Sequence, residues 1–180
     1  MHFLKLIWME GVKLEAVEAF LANNRVYVPL SETPSELRER GFGTLRGRRI
    51  YFSVLEAIYL ADKKRTKVLS SATGSEIKFA DLVRRLSQGK PEVWMKYLVY
   101  RDLRDRGYIV REEEAFDFEI YGKGAVRRLV SIVYEGREAS IERLQKLLRM
   151  AVTEKKELLL AVIDRRTDIV YYTLGQLSLK

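Results

Sequence analysis

The sequence predicts an α+β protein of two small domains, each a mixed or antiparallel sheet packed with helices. Three observations predict it. Stretches with apolar residues every three or four positions are interleaved, in both halves, with stretches that alternate every second position. The run S-Q-G-K-P at 87–91 interrupts this pattern, because Gly89 can close one helix and Pro91 can occupy the first turn of the next. Finally, 180 residues with 47% hydrophobic and 32% charged composition can bury a real core. The expected domains are 1–89 and 90–180.

In the first half, Leu14, Val17, Phe20 and Leu21 are spaced as on one face of a helix over 14–22, closed by Asn23-Asn24. The strand R-V-Y-V-P follows, then a polar stretch at 31–40 and the turn-rich G-F-G-T-L-R-G-R-R-I-Y-F-S. Ser53 is a good N-cap, and Glu56 three residues on completes a capping box. Lys63, Lys64 and Arg65 then fall at the helix C-terminus, where the dipole favours cations. The Ser/Thr/Gly-rich stretch 68–78 precedes a short helix at 79–86.

The second half reads α-β-β-β-α-β-β. Residues 92–106 are helical, with Gly107 as the stop, and 108–111 begin a strand that ends in the acidic turn 112–114. F-D-F-E-I-Y alternates strictly, which puts Phe116, Phe118 and Ile120 on one face and Asp117, Glu119 and Tyr121 on the other. A strand at 129–134 leads to a turn, and Ser140 caps a helix with Ile141, Leu144, Leu147, Leu148 and Ala151 on one stripe. E-L-L-L-A-V-I-D and D-I-V-Y-Y-T-L close the chain as a hairpin through D-R-R-T-D.

Composition excludes several kinds of chemistry. With no cysteine there are no disulfides, zinc ribbons, iron-sulfur clusters or thiol nucleophiles, and His2 is the sole histidine, so a zinc site of His and Cys ligands is out. No apolar run approaches the roughly 20 residues of a membrane span, and the start turns acidic too soon for a signal peptide, so the expected compartment is the cytoplasm. A net charge of +8, spread over both halves, suggests a polyanion such as nucleic acid as partner. Many Arg, Lys and Glu residues lean toward a thermophilic source.

Four segments, taken in order, carry a resemblance: G-F-G followed by S-V-L-E-A-I-Y-L, then K-Y-L-V-Y-R-D-L-R-D-R-G-Y, then F-D-F-E-I-Y-G, then L-L-L-A-V-I-D with D-I-V-Y-Y. Together they resemble the archaeal tRNA-splicing endonucleases, the second and third resembling that family's C-terminal domain. The resemblance implies a two-domain chain that assembles into a tetramer or pseudo-tetramer and cuts precursor tRNA at bulge-helix-bulge junctions. It also implies metal-free chemistry without a cofactor. A tyrosine takes the proton of the 2′-hydroxyl, a histidine protonates the 5′-oxygen and a lysine stabilises the phosphorane, leaving 2′,3′-cyclic phosphate and 5′-hydroxyl ends.

Carried onto this chain, the tyrosine is Tyr121 and the lysine is Lys156, with Lys155 as its competitor. The histidine should lie between Gly124 and Leu129, yet Ala125 to Arg128 reads A-V-R-R, and arginine gives up no proton near neutral pH. A lost general acid costs about 10² to 10⁴ in rate. The resemblance therefore implies the structural subunit of a heterotetramer, two copies beside two of a catalytic homologue, with Tyr121 and Lys156 vestigial. The alternatives are an active endonuclease with a substituted acid, and a winged-helix-like nucleic-acid-binding protein over 92–121.

A magnesium nuclease is the rival for F-D-F-E-I-Y, but it wants a lysine two residues after the second acid, and that position is Tyr121. The resemblance places RNA contacts at Arg149 and Lys155. It places a subunit contact at Asp164 and Asp168 of the last loop, where Arg165 and Arg166 interrupt the acidic character; the tyrosines and apolar residues of D-I-V-Y-Y-T-L, Ile169 and Tyr171 among them, are the better interface candidates, by edge-strand pairing.

Overall fold

A computed structural model describes residues 16–122, 127–137 and 140–175. Two five-stranded sheets and five α-helices make up this part of the chain, which gives the α+β class expected. The first sheet has the order β3-β4-β2-β1-β5, from β1 (Val17–Ala22), β2 (Arg25–Pro29), β3 (Thr44–Arg46), β4 (Arg49–Phe52) and β5 (Thr66–Ser70). All its pairings are antiparallel except β1 with β5. The helices of this half are α1 (Ser35–Glu39), α2 (Val54–Asp62) and α3 (Phe79–Ser87).

The helix expected at 14–22 is a correction: residues from 17 to 22 form β1, and residues 14 and 15 lie outside the described part. Its burial alternates, with Ala19 and Leu21 inside and Phe20 outward. Asn23 and Asn24, read as a helix stop, have φ of 48° and 57°, the left-handed pair that a two-residue hairpin turn requires. Pairing with β2 thus decided a segment whose apolar spacing fitted either period. The turn-rich stretch after G-F-G is a second hairpin, β3-β4, and α1 arises in the polar stretch to which no element was assigned.

The second half follows the expected order: α4 (Pro91–Asp105), β6 (Ile109–Glu112), β7 (Phe118–Tyr121), β8 (Arg127–Tyr134), α5 (Ile141–Thr153), β9 (Glu157–Ile163) and β10 (Ile169–Leu174). Its sheet runs β10-β9-β8-β7-β6, and only β8 and β9, joined through α5, are parallel. The predicted caps are in place, Ser53 with Glu56 as a full capping box and Ser140 accepting from the Arg143 N–H. Gln88 and Gly89, at φ 51° and 74°, turn the chain between α3 and α4.

The strict alternation expected across F-D-F-E-I-Y holds only from Phe118 onward, and Phe116 is a correction. Asp117 ends the ladder, because its carboxylate accepts the Ile132 N–H at 2.7 Å in place of a backbone carbonyl. Phe118 and Ile120 enter a large apolar cluster with residues of the first sheet, whereas Phe116 joins Leu129, Leu147, Ala151 and Leu158 beneath α5. The α5 stripe is shorter than expected, since Leu147 and Ala151 are buried but Ile141 is exposed. No helix among the described residues is long and apolar enough to cross a membrane.

The motif G-F-G marks the point where the two sheets meet. Gly41 and Gly43 have φ of 71° and 74°, and a Cβ on them would come within 2.7 Å of Ile109 and 2.4 Å of Ile50. They turn Phe42 inward, where the Arg104 guanidinium lies 3.9 Å from its ring centroid. Arg104, from α4, is only 4% exposed and donates to the carbonyls of Arg40 at 2.8 Å and Tyr108 at 3.4 Å and to the Tyr100 hydroxyl at 3.0 Å. Among the described residues no carboxylate lies within ion-pairing distance of it. Carbonyls and rings therefore replace its water.

Replacing Arg104 with Met removes the charge but leaves those carbonyls without a donor. The expected outcome is a loss of about 3 kcal/mol, measured by urea unfolding.

Candidate functional site

Tyr121, Glu119 and Lys156 come together at one end of the second sheet. Tyr121 is the last residue of β7, opposite Ile109 of β6 and Arg127 of β8. Glu119, two residues earlier, shares its face. Lys156 arrives from the other side of the sheet order, just before β9 runs parallel to β8. The turn that delivers it contains Lys155 at φ 54°, and the N–H groups of Lys155 and Lys156 close α5 on the carbonyls of Val152 and Ala151 at 3.0 and 2.9 Å.

Glu119 bridges the other two. One of its carboxylate oxygens lies 2.7 Å from the Lys156 ammonium, and the other accepts a short hydrogen bond from the Tyr121 hydroxyl. Its side chain is 7% exposed and that of Lys156 is 17% exposed. Lys156 also meets Glu154 at 2.7 Å. Arg111 and Arg127, from the strands on either side, hold their guanidinium carbons 5.5 and 5.2 Å from the Tyr121 ring centroid.

The charges settle which group carries a proton. Burial alone would push the Glu119 carboxyl up, but Lys156, the Tyr121 hydroxyl and Arg127 outweigh it and hold the group below its ordinary range. Lys156 is pushed up to about 12 by Glu119 and Glu154. Burial and then the Glu119 charge raise Tyr121, with Arg111 and Arg127 opposing only in part. The resting arrangement is thus carboxylate, ammonium and neutral phenol, with the phenol donating.

The other expected positions are dispersed. Ala125 and Val126 lie outside the described residues; Arg127 flanks Tyr121 and Arg128 pairs with Glu157 at 2.6 Å. Arg149 and Lys155 are exposed on the last turns of α5 and beyond, and neither forms an ion pair among the described residues. Asp164 spends one carboxylate oxygen on its own loop, accepting from the N–H groups of Arg166 at 2.8 Å and Asp168 at 2.9 Å. Asp168 is exposed. Ile169 packs against the large core, and the Tyr171 hydroxyl donates to Asp102 of α4 at 2.8 Å with Arg106 over its ring. The outward residues of β10, an edge strand, are instead Val170 and Tyr172, the latter 56% exposed.

Glu119 is a site residue that the F-D-F-E-I-Y segment does not single out by itself. The signal was present in the spacing, since a residue two positions before Tyr121 on a strand must lie beside it. Its burial was not legible, because that requires α5 to cover this face. Among the described residues no group of three or more His, Cys, Asp or Glu is gathered as metal ligands would be.

The chain is thus an α+β protein whose two sheets meet at the G-F-G contact, with Tyr121, Glu119 and Lys156 converging at one end of the second sheet. The model of the tRNA intron endonuclease catalytic C-terminal domain matches residues 93–171, and that of the N-terminal domain of the same enzymes matches 17–83. The chain belongs to the tRNA intron endonuclease family. It is 37% identical to a tRNA-splicing endonuclease of Pyrococcus furiosus over 161 residues, covering 87% of this chain and 94% of the relative. With the one from Pyrococcus horikoshii the identity is 34% over the same shares, and with that of Methanococcus vannielii 30%, covering 92% and 97%. The matched C-terminal domain spans the segment of the winged-helix alternative, and β7 and β6 are inner and edge strands of one five-stranded sheet rather than a separate wing.

Substituting Lys156 with Met strands a mostly buried Glu119 charge. A loss of about 2 kcal/mol is expected by urea unfolding at neutral pH, most of it recovered in Glu119→Leu/Lys156→Met. The sign with pH follows from the lowered Glu119: its contribution is present above the ordinary carboxylate range and is lost as pH falls through its depressed value. The double variant should lack that acid-side loss.

Proposed function

We propose that this chain is the structural, non-catalytic subunit of a tRNA-splicing endonuclease. It assembles with a catalytic homologue, two copies of each, and helps to position precursor tRNA for cleavage at bulge-helix-bulge junctions. The observation that carries this reading is the engagement of Tyr121 and Lys156 by one carboxylate, Glu119. A tyrosine that takes a proton from a 2′-hydroxyl must offer a lone pair as its proton leaves, and a phenol donating to a carboxylate, with its pKa raised, is poorly placed to do so. A lysine already neutralised by Glu119 and Glu154 has little charge left for a phosphorane. The absence of a histidine in the A-V-R-R interval removes the acid as well.

Tyr121 and Lys156 are accordingly the family's catalytic positions held at rest, the phenol as a hydrogen-bond donor and the ammonium in an ion pair. Arg149 and Lys155, both exposed near the C-terminal end of α5, serve as RNA contacts. The subunit interface runs along the β9-β10 hairpin, with Asp168 at its tip and the outward Val170 and Tyr172 of β10 carrying the apolar contact, while Asp164, Ile169 and Tyr171 support the hairpin from within.

The test mixes this chain with a homologue from the same genome that keeps the tyrosine, histidine and lysine, and follows cleavage of a bulge-helix-bulge RNA. The chain alone is expected to show no cutting, the mixture to cut, and Tyr121→Phe in this chain to change the rate of the mixture by less than about 2-fold. Robust cutting by the chain alone, abolished by Tyr121→Phe, would establish the active enzyme with a substituted acid instead.

A further inference from the structure

We propose that the outer face of the first sheet is a second RNA surface, which stacks the bases of an unpaired, single-stranded segment. The surface is independent of whether the chain cuts. It is built by the alternation that also builds the core. Ala19, Leu21, Val26, Val28, Ile50 and Phe52 point inward, so the residues between them point out. On three neighbouring strands the outward positions are aromatic: Phe20 on β1 is paired in register with Tyr27 on β2, which is paired with Tyr51 on β4. Their ring centroids are 5.8 and 5.5 Å apart, and all three rings are partly exposed.

Arginines border this row. Arg25 precedes Tyr27 on its strand, Arg49 precedes Tyr51, and Arg46 of β3 is the register partner of Arg49. The Arg49 guanidinium lies 4.4 Å from the Tyr27 ring centroid. Among the described residues none of these three arginines forms an ion pair. Glu18, two residues before Phe20 on the outward face of β1, is the register partner of Lys67, on the side of the row away from the arginines.

Rings in a row across a sheet, with unpaired guanidinium groups at the border, fit the two needs of single-stranded RNA. Each base has a π-face that stacks on an aromatic ring or on an arginine plane, and each phosphate takes a cation. Charge decides against a second copy of this chain as occupant, since the face would meet its own arginines. Stacking disfavours duplex RNA, whose bases offer no free π-face to the rings.

Fluorescence anisotropy of the full chain with a labelled, unstructured RNA of about a dozen nucleotides, a length set by the usual site size, tests this directly. Tyr27→Leu/Tyr51→Leu keeps apolar bulk but removes the rings, and affinity for the single strand is expected to fall about 10-fold or more while affinity for a duplex of the same length changes less than about 2-fold. Arg25→Gln/Arg46→Gln, which touches no packing, should flatten the slope of log affinity against log salt by roughly 1.4. If the ring variant is misfolded by circular dichroism, the arginine variant decides. Unchanged single-strand affinity and salt slope in the folded variants would overturn the proposal, as would variants that reduce self-association in sedimentation without altering RNA affinity.

Discussion

A buried guanidinium, that of Arg104, is the constraint on which the rest of the structure depends. It comes from α4, the helix between the two sheets, and it draws to itself the carbonyl of Arg40, the ring of Phe42 and the carbonyl of Tyr108. The first two belong to the approach to the first sheet's β3-β4 hairpin, and the third to the turn that starts β6. One residue thus fixes where both sheets begin relative to each other. Because β7 is laid on β6, and β8 on β7, the position of Tyr121 descends from that anchor. The two glycines around Phe42 exist in service of the same contact, since side chains there would collide with Ile109 and Ile50.

On the opposite face of the second sheet, Glu119 performs a related task with the reverse charge. A carboxylate this buried is stable only when its oxygens are occupied, and Tyr121 and Lys156 are the groups within reach. The contacts that make the carboxylate tolerable also hold the phenol as a donor and keep the ammonium paired. The left-handed Lys155 belongs to this arrangement, because it swings the chain so that the next residue faces the sheet rather than solvent.

The sequence was most legible where local chemistry acts alone. The Ser53 and Ser140 caps, the Gly107 stop and the order of all seven elements in the second half follow from residues a few positions apart. It was least legible where a partner strand decides. Residues 17–22 carry apolar spacing compatible with a helix, and only pairing with β2 through the Asn23-Asn24 turn makes them a strand. Phe116 left its expected face because the Asp117 side chain imitates a backbone acceptor, an effect no periodicity encodes. Within the site, the positions of Tyr121 and Lys156 were readable from motif order, whereas the Glu119 bridge required knowing that α5 covers that face of the sheet.

The larger apolar cluster runs without a break from Val26 and Ile58 to Phe118 and Ile163, across both sheets. The turn at Gln88 and Gly89 is thus a bend in the chain but not a seam in its interior. Separating the halves there would expose to water, on each fragment, the surface that the other now covers. A shared interior of this kind favours unfolding as a single cooperative unit, with damage to one sheet felt as instability of the other. That shared interior supplies rigidity that two loosely tethered modules would lack.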